Sequence, residues 1–225
     1  MIFSQVIDFS EVNALTNKNI EQFLINRESE WPAWNLTNLK SSNINQDLIY
    51  PFWFEGDWLI KSEDLINSNQ KPIFYKVNFL KNQSGKIVGN RSKNSESIGR
   101  EIFGDRLKEV RIDPQSFNNQ IIYLSDNEYI ESRVKARNQI FDDNLFFADE
   151  FFIQTSHKNG VSRINQIEII SKFSKCNQLN NSNNNSDYDI CGFQYMATYG
   201  SKVGDLNTKA VTTNKYKLTF KFIEI

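Results

Sequence analysis

A mainly β chain folded as one antiparallel barrel is what this sequence predicts, on three observations. Residues 215–222 alternate Tyr216, Leu218, Phe220 and Phe222 with Lys215, Lys217, Thr219 and Lys221, the period of two expected of a strand with one wet and one buried face. Between residues 73 and 124, short apolar runs recur roughly every ten residues between turn signals, which is the rhythm of a meander. The third is Tyr50-Pro51-Phe52-Trp53-Phe54-Glu55-Gly56-Asp57-Trp58, where two tryptophans, a glycine and a strand start fall together.

A glycine two positions ahead of a tryptophan lets the chain approach a neighbour closely while the indole closes one end of a core, as at the start of lipocalin-like barrels. The expected fold is therefore a single antiparallel lipocalin-like (calycin-type) β-barrel of about 8–10 strands with a short N-terminal helix. Residues 1–46 would form the helix and a polar linker, and residues 47–225 the barrel domain, with an Asn-rich loop at 177–188.

Taken in order, Thr16 to Arg27 carries Ile20, Phe23 and Leu24 at helical spacing behind a Thr16 or Asn17 cap. Pro32 ends this helix, and Trp31 and Trp34 then serve as a latch onto the barrel or as a lid over a ligand. Ile73 to Leu80 reads as a half-buried strand stopped at Asn82-Gln83-Ser84-Gly85, and residues 90–99 as a polar loop. Strands follow over 107–113 and 120–124, separated by a turn at 113–119. Tyr129 to Ile140 sets Ile130, Ser132, Val134, Ala136 and Ile140 on one face. Glu131, Arg133, Lys135 and Arg137 occupy the other, a solvated face or a site for an anion. Leu145 to Ile153 is the most apolar run, and Asp149-Glu150 inside it predicts a bulge or short helix. Strands over 161–173 and 192–199 flank the Asn-rich loop, and the last strand ties the C-terminus into the sheet, as barrel closure requires.

Composition narrows the function classes. With 225 residues, 39% hydrophobic and 18 Phe among them, one substantial core is within reach without metal or disulfide support. Lys+Arg 26 against Asp+Glu 27 gives a formal charge of -1 and no general attraction for phosphate backbones, so nucleic acid is not an expected partner. No apolar run approaches the roughly 20 residues of a membrane-spanning helix. His157 is the single histidine, in a turn-like setting, so no metal site and no His-based catalytic set is expected. Where the 145–153 run is extended, Asp149 and Glu150 are strand neighbours that point to opposite faces, which prevents their sharing one cleft. No catalytic residue and no cofactor is assigned. Cys176 and Cys191 either staple the base of the Asn-rich loop, for a contribution on the order of 3 kcal/mol, or stay reduced at opposite strand ends.

Several spacings together resemble a family of uncharacterised proteins from cyanobacteria and plant chloroplasts, grouped as a domain of unknown function. They are Trp31-Pro32-x-Trp34, Asp47-Leu48-Ile49-Tyr50-Pro51-x-Trp53-Phe54-x-Gly56-x-Trp58, Val110-x-x-Asp113-Pro114, Val134-x-x-Arg137, Gln194-x-x-Ala197-x-Tyr199 and Tyr216-x-Leu218. Gln115-Ser116-Phe117-Asn118 departs from the family's Asn-Pro run. The resemblance implies a photosynthetic, thylakoid-associated context and no established activity. Family members often carry leaders for the thylakoid lumen or periplasm; residues 1–11 lack a basic segment, so the chain as written is expected in the cytoplasm, and in the lumen or periplasm if a leader is missing. The expected function is non-enzymatic binding of a small hydrophobic ligand, a tetrapyrrole, carotenoid or lipid, with Trp58, Arg137 and Tyr216 as pocket or mouth residues. The alternatives are an assembly or interaction factor for a photosynthetic complex, with the barrel as scaffold, and, by fold analogy alone, a bilin lyase.

Overall fold

The computed structural model describes residues 9–36, 46–176, 189–200 and 208–224; the Asn-rich loop 177–188 and nearly all of the polar linker lie outside them. In chain order come α1 (Phe9–Glu30), β1 (Ile49–Tyr50), a 3-10 turn (Phe52–Phe54), β2 (Gly56–Asp64), β3 (Ile73–Lys81), β4 (Ile87–Gly89) and α2 (Arg91–Phe103). A second 3-10 turn (Gly104–Arg106) leads to β5 (Leu107–Asp113), β6 (Ser116–Leu124), β7 (Tyr129–Phe141), β8 (Leu145–Lys158), β9 (Val161–Lys175), β10 (Ile190–Tyr199) and β11 (Thr212–Phe222). All eleven strands form one antiparallel sheet, ordered β1-β4-β3-β2-β11-β10-β9-β8-β7-β6-β5 and curled into a half-barrel.

The fold is thus mainly β and barrel-like, but the barrel is open. From β2 to β4 and from β5 to β11 each strand pairs with its sequence neighbour, and β11 pairs with β2, the ladder that joins the C-terminal strand to the first long one. The ladder missing from a full circuit is β1 to β5. In its place stands α2, over the residues that the sequence presents as a polar loop. Its apolar content is confined to Ile98, Ile102 and Phe103, so no helical stripe marks it, while Asn90 supplies the cap by accepting from the Lys93 amide.

Polar side chains are what α2 uses to span the gap. Asn94 Oδ1 accepts from the Asn78 amide at 2.7 Å, Asn94 Nδ2 donates to the Asn78 carbonyl at 3.0 Å, and Ser97 Oγ accepts from the Lys76 amide at 3.1 Å. The edge of β3 left bare by the three-residue β4 is thereby covered. On the other side Ser95 Oγ donates to Gln120 Oε1 at 2.9 Å and Arg100 Nη1 to the Leu107 carbonyl at 3.3 Å. Nearby, the Gln139 side chain on β7 acts as a one-residue strand, donating to the Ile49 carbonyl at 3.1 Å and accepting from its amide at 3.0 Å.

Each face of the curled sheet carries a buried cluster. Inside, the 3-10 turn after Pro51 drives Phe54 into the centre, where its ring meets those of Tyr50, Phe79, Phe146, Phe173 and Phe220 at centroid distances of 5.0 to 6.0 Å. Gly56 takes φ +124°, and an added Cβ would lie 2.5 Å from the Phe222 ring, so the close approach at this glycine is to an aromatic side chain. Outside, α1 and the Trp31 to Trp34 segment pack on β7 to β10. Leu24, Trp34, Phe147, Ile170, Tyr195 and Tyr199 form a second buried cluster there. The α1 helix is longer than the Thr16 to Arg27 segment suggests, and Trp31 and Trp34 are a latch on this outer face.

Three strand details depart from the sequence expectation. The irregularity expected at Asp149-Glu150 sits on the partner strand, where a register shift between Val134 and Ala136 makes Lys135 the extra residue. Val134 therefore opposes Phe152 and Ala136 opposes Phe151, placing them on opposite faces, and Arg137 turns inward against Glu150 instead of sharing an outer face with Arg133. The turn at 113–119 is shorter than expected because β6 begins at Ser116, and His157 belongs to β8, with its ring stacked on Tyr129 at 4.2 Å. Cys176 and Cys191 are joined, with Cα atoms 5.0 Å apart, linking the end of β9 to β10.

Candidate ligand-binding cavity

Inside the half-barrel, between the sheet and α2, lies a cavity of about 390 Å³. Its back wall is the middle of the sheet: Ile60 on β2, Val77 on β3, and Leu218 and Phe220 on β11 are all apolar. These positions alternate with outward-facing ones because successive strand residues point to opposite faces. Phe54 and Phe173 form the floor.

The wall along the open seam is different in kind. Asp47 and Tyr50 come from the approach to β1 and from β1 itself, Arg91 from the first turn of α2, Gln120 from β6 and Glu150 from β8. Asp47 Oδ1 accepts from Arg91 Nε at 2.9 Å and from its Nη2. Glu150 Oε1 accepts from Arg137 Nε at 2.8 Å and Nη2 at 2.6 Å. Arg137 also donates to the Gln46 carbonyl and to Asn118 Oδ1, which ties the chain ahead of β1 to β7 and β8. Tyr50 lies between the two pairs, its ring stacked on Phe146 at 4.7 Å. Burial, and after it the Glu150 carboxylate, pushes the Tyr50 hydroxyl well above its ordinary pKa; burial alone does so for Tyr75. Both phenols stay protonated through neutral pH. Across the cavity Gln194 Nε2 donates to Ser171 Oγ at 3.0 Å.

Of the three residues expected at a pocket, none is on the cavity surface. Trp58 is buried beside Phe220 and Phe222 and donates from Nε1 to the Phe54 carbonyl at 2.7 Å, so it braces the floor from below. Arg137 stands behind the seam wall and holds Glu150, which does line it. Tyr216 is half-buried at the edge of the inner core, opposite Asp64 and Gln194. The cavity residues without a prior assignment are Asp47, Tyr50, Tyr75, Arg91, Glu150 and Gln194. For three of them a signal existed: Asp47 and Tyr50 fall within the aromatic motif, and Gln194 within the Gln194-x-x-Ala197 spacing.

A second cluster of charged groups lies on the outer face under α1. Arg27 donates from Nε at 2.9 Å and Nη2 at 2.6 Å to the fully buried Glu168, and Tyr199 Oη donates to Glu168 Oε2 at 2.5 Å. Asp149, 1% exposed, has no hydrogen-bond partner on either oxygen. Burial first, and then the Glu168 charge, pushes its pKa well above the carboxylate range. Asp149 and Glu150 thus face opposite sides of β8, as strand geometry requires. Among the described residues no group of three or more His, Cys, Asp or Glu is placed to hold a metal, and no helix is long and apolar enough to cross a membrane.

Residues 61–223 match the family model described as Domain of unknown function (DUF6816). The chain belongs to the DUF6816 family. The DUF6816 span runs from within β2 to just past β11 and includes α2, so it holds the sheet, the seam and the apolar back wall. Asp47, Tyr50, Phe54 and Ile60, which line the cavity, precede that span, as do α1 and the Trp31 to Trp34 latch. No curated protein and no solved structure matches the chain.

Proposed function

We propose that this DUF6816 protein binds a small hydrophobic ligand inside the half-barrel without transforming it. One observation carries the reading: the half-barrel encloses a hollow that has a largely apolar wall on β2, β3 and β11 and a polar wall at the seam. A volume of about 390 Å³ lies at the small end of the roughly 300–1,000 Å³ typical of ligand sites. At interior packing density it accepts on the order of 20 non-hydrogen atoms, which suits a lipid chain better than a tetrapyrrole or carotenoid. The carboxylates lining the cavity, Asp47 and Glu150, are each bound to an arginine, which favours a binding role over acid–base chemistry. The photosynthetic setting implied by the sequence resemblance is part of the same proposal. A scaffold that meets its partner through Trp31 and Trp34 finds less support, since Trp34 is 1% exposed and donates to the Arg27 carbonyl.

The test is native mass spectrometry of protein purified gently from its own cells, together with uptake of N-phenyl-1-naphthylamine by stripped protein. The expected result is one bound small molecule per chain, released by organic solvent, and probe uptake that Ser171→Leu blocks by filling the cavity. Protein that carries no small molecule and takes up no probe refutes the reading.

A further inference from the structure

The two walls of the cavity differ in a way that specifies one end of its ligand. The back wall offers carbon at Ile60, Val77, Leu218 and Phe220, and Gln194 beside them is spent on Ser171, so an apolar chain belongs there. The seam wall carries Asp47, Arg91 and Glu150, with Arg137 behind it, and the charges pair off: Arg91 with Asp47 and Arg137 with Glu150. Their charges sum to zero. A carboxylate or ammonium head placed against this wall would be desolvated without an uncompensated countercharge, which is the unfavourable case for burying an ion.

Hydrogen bonding, by contrast, is on offer. Tyr50 and Tyr75 line the cavity, and neither hydroxyl is hydrogen-bonded to a described residue. Neither hydroxyl is among the sealed, unpartnered polar atoms of the described residues, so both are accessible from the cavity. Held protonated, both can donate to an uncharged oxygen. The volume allows one chain and a compact head.

We propose that the cavity takes a single-chain amphiphile with an uncharged, oxygen-bearing head, such as a long-chain alcohol or monoacylglycerol, and rejects fatty-acid anions and alkylammonium ions of the same length. This rests on the reading that the cavity binds a hydrophobic ligand.

The experiment compares hexadecan-1-ol, palmitate and hexadecylamine, which differ only at the head, as competitors of N-phenyl-1-naphthylamine on the full chain at pH 8. The alcohol is expected to bind at least about tenfold more tightly than either ion. Asp47→Asn leaves Arg91 without its carboxylate, and Glu150→Gln does the same to Arg137. Each is expected to raise the affinity for palmitate relative to that for the alcohol by about tenfold. The two variants touch different elements, so if one fails to fold the other still answers. Palmitate or hexadecylamine binding as tightly as the alcohol, or palmitate affinity relative to the alcohol unchanged in a folded variant, overturns the head-group assignment while leaving the binding cavity intact. If the probe itself does not bind, the binding reading fails and this one with it.

Discussion

Replacing Arg27 by methionine is the sharpest perturbation the outer cluster allows. Arg27 is 3% exposed and makes bonds of 2.6 to 2.9 Å to Glu168, one of 3.2 Å to Tyr199 Oη, and a cation–π contact with Trp34 at 4.7 Å. Methionine retains much of the apolar volume and removes the charge. What remains is a fully buried Glu168 carboxylate beside an unpartnered Asp149, with Lys172 already engaged by Glu28 at 2.6 Å. Removing one partner of a buried ion pair costs about 3–5 kcal/mol, a large share of the roughly 5–15 kcal/mol that holds a domain folded. At about 2–4 °C per kcal/mol for a chain of this size, the melting temperature should fall on the order of 6–20 °C. Urea unfolding followed by circular dichroism measures the loss directly, with an unchanged slope showing that the same surface is exposed. Replacing both partners, Arg27→Met with Glu168→Leu, should restore most of it, because an apolar pair has no ion to desolvate. A loss below about 1 kcal/mol for the single variant would refute the reasoning, since it would mean that water reaches Glu168 and that α1 does not seal this face.

Two further outcomes follow from the same face of the sheet. Asp149 has a folded pKa raised above its unfolded value near 3.9, so its share of stability is fully present below about pH 4 and is lost as pH rises toward the folded value. The difference in urea midpoint between wild type and Asp149→Asn should therefore change steadily from pH 4 upward in favour of the variant, at up to about 1.4 kcal/mol per pH unit, and parallel profiles would contradict it. The Cys176–Cys191 bond closes a loop with a sequence separation of 15, so Cys176→Ala with Cys191→Ala should lower unfolding free energy by about 3 kcal/mol, and an unchanged midpoint would show that the loop is already restricted in the unfolded chain.

Strands were legible because their signal is local. The alternation at 215–222 reports most of its own face assignment: Leu218 and Phe220 are buried and Lys217 and Lys221 exposed, whereas Phe222 at the strand end is exposed and Thr219 is buried. The adjacency of Asp149 and Glu150 is equally local, and their divergence follows from the pleat alone. What was not legible depends on pairing. A bulge at Lys135 inverts the face of every residue beyond it, and nothing in Val134-Lys135-Ala136-Arg137 marks which strand of the pair carries the extra residue. The same is true of α2. A helix whose work is to hydrogen-bond strand edges needs Asn94, Ser95, Ser97 and Arg100 at its contacts, and those residue types read as a loop when no apolar stripe accompanies them. Trp58 drew notice as a large aromatic side chain near a glycine, yet the cavity wall is set by Glu150 and Arg91, whose meaning appears only once Arg137 and Asp47 face them.

The helix and the hollow are one feature. Had β1 paired with β5, those two edge strands would lie about 4.8 Å apart and the sheet would close on itself. A helix about 10 Å across holds those edges apart. The displaced edges then need partners: Asn94 and Ser97 serve β3, and Gln139 serves β1. Buried charges demand pairing: Arg91 on α2 meets Asp47 ahead of β1 at the seam, and Arg137 meets Glu150 across the β7–β8 ladder beside it. Opening the barrel with α2 therefore creates the volume and, by the same geometry, lines one side of it with balanced charge. A ligand that fills the volume inherits both conditions.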